Sequence, residues 1–76
     1  MPTVTVTVYR DGKRVKGARV GLGAGPIGGV YGPEYTGYDG VAEFDVEYGQ
    51  GGDVFVNGSP EGPWGVPGTT DVTVDL

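Results

Sequence analysis

Neither histidine nor cysteine occurs anywhere in the sequence, and Ser59 is its one serine. A Ser-His-Asp or Cys-His unit cannot be assembled from this set, nor can an imidazole or thiolate metal site. What remains is carboxylate chemistry. Glu43, Asp45 and Glu47 alternate along one face of a predicted strand, with neighbours about 6.6 Å apart at a rise of ~3.3 Å per residue. That spacing falls in the range of paired glycosidase carboxylates, but such catalysis also needs a sugar-enclosing cleft and two carboxyls tuned to different pKa values. An open strand face supplies neither. We therefore assign these three residues to a solvated outer face and assign no catalytic residue. Calcium is a better use of carboxylates, since it takes several oxygen ligands. Asp39 near Glu34, or Asp53 beside Gly51 and Gly52, would make a weak site at most, so neither metal nor cofactor is expected.

Two other groups of residues have types suited to binding. All five basic residues, Arg10, Lys13, Arg14, Lys16 and Arg19, fall within ten positions of a chain whose net charge is −5. This is either a docking patch for a polyanion or an acidic neighbour, or an exposed turn with solvated charges. The sequence favours the solvated turn, because Tyr9 is the one aromatic residue interleaved with the cations. The second group is Tyr31, Tyr35, Tyr38 and Trp64, all in glycine- and proline-rich segments. Rings with an apolar face and a polar handle suit stacking against a sugar or peptide, but in a domain this small the sequence favours their capping a thin core or packing the loops. Pro63-Trp64-Gly65 reads as a rigid, presented indole, and these four rings are the candidate ligand site.

The elements that must position these groups read as strands. Residues 3–10, TVTVTVYR, put Val4, Val6 and Val8 on one face and Thr5, Thr7 and Tyr9 on the other, the period-two signature of a half-buried strand. Asp11-Gly12 is a tight-turn dipeptide, and Ala18, Val20 and Leu22 alternate again beyond Gly17. The reading there is strand, basic turn, strand. Within residues 23–37, broken by Pro26 and Pro33, a short strand over 30–36 is expected. Asp39-Gly40 then turns the chain into residues 41–48, where Ala42, Phe44 and Val46 alternate with the three carboxylates. Residues 53–57, DVFVN, form another strand, 58–68 a loop around Trp64, and 69–76 a closing strand with Val72, Val74 and Leu76 on one face.

Composition agrees. Seventeen glycines and six prolines interrupt the chain too often for helices of ordinary length, and the frequent valine, threonine and tyrosine fit a pleated surface. At this size a folded chain buries only about 60 % of its unfolded surface, so the core is thin and no deep cleft can be enclosed. No apolar run approaches the ~20 residues that cross a bilayer, and the start has no signal-peptide pattern. The acidic balance argues against nucleic acid as a partner.

Two stretches resemble a known family. The first is Val8-Tyr9-Arg10-Asp11-Gly12-Lys13-Arg14-Val15-Lys16-Gly17-Ala18-Arg19-Val20, carrying V-x-G-A-x-V. The second is Thr36-Gly37-Tyr38-Asp39-Gly40-Val41-Ala42-Glu43-Phe44, carrying T-x-x-D-G-x-A-x-F, followed by Val54-Phe55-Val56-Asn57-Gly58. Together they are similar to the carboxypeptidase-regulatory-like, transthyretin-like β-sandwich group, and in plan to the collagen-adhesin B-type repeats of surface proteins. The resemblance implies a prealbumin-like, non-catalytic module of larger secreted or cell-surface proteins, with other domains or a glycan as partners. The internal isopeptide bond of the collagen-adhesin relatives is not expected, since Lys13 and Lys16 sit in the charged turn.

The fold expected is thus an all-β, Greek-key sandwich of about seven strands, forming one domain over residues 1–76. Its core is expected to hold Val4, Val6, Val8, Val20, Phe44, Val46, Val54, Val56, Val72 and Val74. The function expected is a structural or accessory module, the alternative being a small carbohydrate- or peptide-binding module that uses the loop aromatics. The state expected is a monomer whose open edge strands are able to pair with another chain.

Overall fold

The computed structural model describes residues 2–24 and 29–76. Pro26, one of the two breaks read in the 23–37 segment, lies outside the described residues. Among those residues every regular element is a strand: β1 (Thr3–Arg10), β2 (Lys13–Arg14), β3 (Arg19–Gly23), β4 (Val30–Tyr35), β5 (Val41–Asp45), β6 (Gly51–Val56), β7 (Ser59–Gly65) and β8 (Asp71–Asp75). No helix is long and apolar enough to cross a membrane.

The strands form two sheets packed into a small sandwich. In one sheet β1 is central, antiparallel to β5 and β2 and parallel to β8. Its hydrogen bonds alternate between the two edges, as a central strand requires. Val8 N–H donates to Gly40 O and Val8 O accepts from Val15 N–H, whereas Thr5 N–H donates to Thr70 O and Tyr9 O accepts from Leu76 N–H. The second sheet has the order β4-β3-β6-β7. β3 and β6 are neighbours although β4 and β5 lie between them in the chain, and β5 belongs to the opposite sheet. This is the crossover of a Greek-key sandwich.

The core lies between the sheets. All ten residues assigned to it from the alternation are buried, and Ala18, Leu22, Ala24, Ala42, Trp64 and Val66 join them. Fully burying one such valine rather than leaving it exposed is worth about 1.5–3 kcal/mol, which is why the valine alternation dominates the folding of a chain this short.

One expectation about the chain path is corrected. The 58–68 segment is not a loop, since most of it is β7, paired along β6. Of the chain that follows the Asp11-Gly12 turn, the two-residue β2 pairs with β1, whereas β3 crosses to the other sheet. β2 and β7 are launched by two-residue turns with positive φ, Asp11 (53°) with Gly12 (77°) and Asn57 (51°) with Gly58 (87°). Such turns match the right-handed twist of a hairpin, and Asn-Gly is the strongest short-range sign of one.

Candidate functional site

The turn from β4 into β5 organises one end of the sandwich. Thr36 is buried, and its hydroxyl donates to Val15 O and accepts from Ala18 N–H at 2.9 Å. Its backbone completes the clamp, with Thr36 N–H donating to Ala18 O at 3.0 Å and Gly17 N–H donating to Thr36 O at 2.8 Å. A buried polar group must be paired, and here the pairing ties the chain between the sheets to the end of β4. Three residues on, the Asp39 carboxylate accepts from Val41 N–H at 3.1 Å. Gly40 follows with φ of 74°, and a Cβ there would lie 2.8 Å from Arg14 Cβ and 3.2 Å from Val8 O. Glycine is thus required both by the backbone conformation and by the close approach of β1 and β2.

This contact places the basic residues. Arg10 pairs with Lys13 and Tyr9 with Arg14 across the β1–β2 hairpin. The Arg14 guanidinium sits 5.8 Å from the Tyr9 ring centroid, and its Nη1 donates to Asp39 O at 3.0 Å. Lys16 Nζ lies 3.7 Å from the centroid of the Tyr38 ring, which is 88 % exposed. Four of the five cations therefore share one end of the molecule, and the fold supplies a second aromatic partner that linear spacing concealed. Arg19 does not belong with them. It lies on β3 in the other sheet, where its N–H donates to Asn57 Oδ1 at 3.2 Å and its residue borders a groove on the outer face.

The four candidate rings are not brought together as a platform. Trp64 is only 3 % exposed, so it caps the core and the reading of Pro63-Trp64-Gly65 as a presented indole is corrected. The indole turns into the core, and its Nε1–H donates to Gly23 O at 2.9 Å. Tyr31 is half-buried and packs edge-on against it, with centroids 5.9 Å apart and planes at 88°. This edge-to-face arrangement is one that aromatic quadrupoles favour. Tyr35 stands exposed on β4 beside Glu34, and Tyr38 is occupied by Lys16.

The carboxylates lie on outer surfaces. Glu43, Asp45 and Glu47 are exposed, and Glu34, Asp39 and Glu43 border one open polar groove of about 360 Å³ between β4 and β5. Among the described residues no three acidic side chains stand close enough to hold a metal ion.

One surface feature escaped the sequence reading. Phe55 points outward from β6 and lies over Gly23 of β3, with Gly21 directly opposite it in register. Together with Val30, Pro33 and Arg19 they bound a depression of about 220 Å³, below the ~300 Å³ at which small-molecule pockets begin. The ring covers strand glycines that have no side chains of their own. The signal was legible in DVFVN, where an aromatic residue holds the outward position between two buried valines.

The chain matches no protein-family model, no curated protein and no solved structure.

Proposed function

We propose that this domain is a non-catalytic β-sandwich module serving as a structural or accessory unit of a larger extracytoplasmic protein, in the manner of the carboxypeptidase-regulatory-like, transthyretin-like group it resembles. The observation that carries this reading is the inward placement of Trp64, the largest side chain available for recognition. It is spent on closing the core, with its one polar atom bonded to Gly23 O. The contact between the two motif stretches supports the resemblance. Thr36 of T-x-x-D-G-x-A-x-F holds Val15 and Ala18 of V-x-G-A-x-V, and Gly40 packs on Arg14. These residues hold the fold together, and the kind of unit they define is a scaffold.

Trp64 fluorescence tests this reading. The native emission is expected to be blue-shifted and weakly quenched by iodide. It should also stay unmoved across titrations with neutral oligosaccharides and unstructured peptides. A saturable shift with any of them would place a ligand against the indole and overturn the structural assignment.

A further inference from the structure

We propose that the β1–β2 hairpin, together with the residue 38–40 turn packed against it, binds a linear sulfated polysaccharide. The site comprises Arg10, Lys13, Arg14 and Lys16, with Tyr9 and Tyr38 holding two of the cations in place.

Charge segregation is the first support. Residues 10–19 hold all five cations and one carboxylate, Asp11, while the other nine carboxylates lie elsewhere in the chain. Thr3 pairs with Asp45 at the far end of β1 from Tyr9, about 20 Å away at ~3.3 Å per residue. That is more than two Debye lengths at physiological salt, where the Debye length is about 8 Å, so the Asp45 end of the sheet is screened from the hairpin. Nearer at hand, Asp11 and Asp39 lie within the patch and Asp75, in register with Tyr9 on β8, borders it. The four cations outnumber these three carboxylates in a chain whose net charge is −5, so the patch is locally positive.

Donor chemistry and preorganisation are the second support. Arg14 gives one N–H to Asp39 O and keeps the rest of its fork of five donors. The Asp39 carboxylate is engaged by Val41 N–H. Lys16 and Arg14 are held over tyrosine rings, so less side-chain entropy is lost when an anion binds. Lys and Arg side chains accept no hydrogen bonds, so these four suit an anionic chain better than a neutral sugar.

The same geometry favours a polysaccharide over nucleic acid. Proteins that bind single strands without sequence preference stack successive bases on free aromatic faces. Here each ring already carries a cation. A narrow chain that ion-pairs along its length fits this convex tip, whereas duplex DNA would bring further phosphates against Asp11 and Asp75.

The experiment measures the affinity of the intact chain for heparin, used as the probe, between 50 and 200 mM salt. If four cations each release counterions with the coefficient of ~0.7 found for single strands, binding weakens about 50-fold over that range. The variant K13Q/R14Q/K16Q is expected to lose most of the affinity, and its remaining salt dependence should be about threefold. A control, Y48E/S59E/T69E, reaches the same net charge at exposed positions outside the hairpin and should bind like the wild type. Circular dichroism verifies that both variants fold, and K13Q with R10Q alone, at the exposed tip, should give an intermediate loss. Equal loss in the two triple variants would overturn the proposal, as would no measurable heparin binding at 50 mM salt. Tighter binding of a single-stranded oligonucleotide, or undiminished binding of desulfated heparin, would overturn the assignment to sulfated polysaccharide. Trp64 emission plays no part in these measurements, so they succeed or fail separately from the scaffold reading.

Discussion

Replacing Thr36 with valine removes one hydroxyl, adds one methyl and leaves the shape of the side chain almost unchanged. On hydrophobicity alone the change should be neutral or favourable at a position that is 3 % exposed. The structure demands the opposite. The hydroxyl is the partner of both Ala18 N–H and Val15 O, and neither gains a substitute from valine. A buried donor left unpaired costs about 1–3 kcal/mol. Ala18 is buried and incurs that loss in full, while Val15 is half-buried and its carbonyl can recover part of its hydration. The sum is about 2–4 kcal/mol, against a total stability of about 4–11 kcal/mol expected for a domain of this length. Thr36→Ser keeps both hydrogen bonds and loses only a methyl, so it should cost about 1 kcal/mol. Urea unfolding followed by Trp64 fluorescence gives both values, and an unchanged m-value certifies that the two states are comparable. The predicted order is wild type, then serine, then valine. A valine variant as stable as the wild type, or more stable than serine, would falsify the claim that this hydroxyl holds the two motif segments together.

Two further substitutions probe the turns. Gly40→Ala places a Cβ at a φ of 74° and 2.8 Å from Arg14 Cβ, and it should lower stability by about 2–4 kcal/mol, since the left-handed conformation alone costs an L-residue about 1–2. A thermal melt within a degree of wild type would show that the hairpin does not pack on this turn as described. Asn57→Ala removes a side chain that tolerates positive φ and accepts from Arg19 N–H. The expected loss is about 1–2 kcal/mol, and amide exchange in β7 should rise more than in β1. Uniform exchange across both strands would mean that the Asn57-Gly58 turn does not set the β6–β7 register.

The all-β class and the core were legible because period-two alternation is a local property of the chain. A strand with one buried face must show it, and Val4, Val6 and Val8, or Ala42, Phe44 and Val46, show it without interruption. Tight turns are similarly local. Asp11-Gly12 was read as one, and Asn57-Gly58 carries the same signal, although the prolines at 60, 63 and 67 masked the strand that follows. The segment 59–65 has no alternating apolar residues to announce it. It is a strand because β6 offers it an edge to pair with.

Other features were decided by tertiary structure alone. Alternation marks the strands that bury one face but not the sheet to which each belongs, so the crossing of β3 away from β1 was invisible. The direction of Trp64 was invisible for the same reason, because a ring beside prolines can turn either way until the core gives it space and Gly23, two strands away in its own sheet, offers a carbonyl. The basic residues were adjacent in sequence, yet the fold removed Arg19 to the other sheet and brought in Tyr38 from more than twenty positions away. Local chemistry thus determined which faces are apolar and where the chain turns. Only the packing of two sheets, which depends on contacts between distant residues, decided which side chains meet.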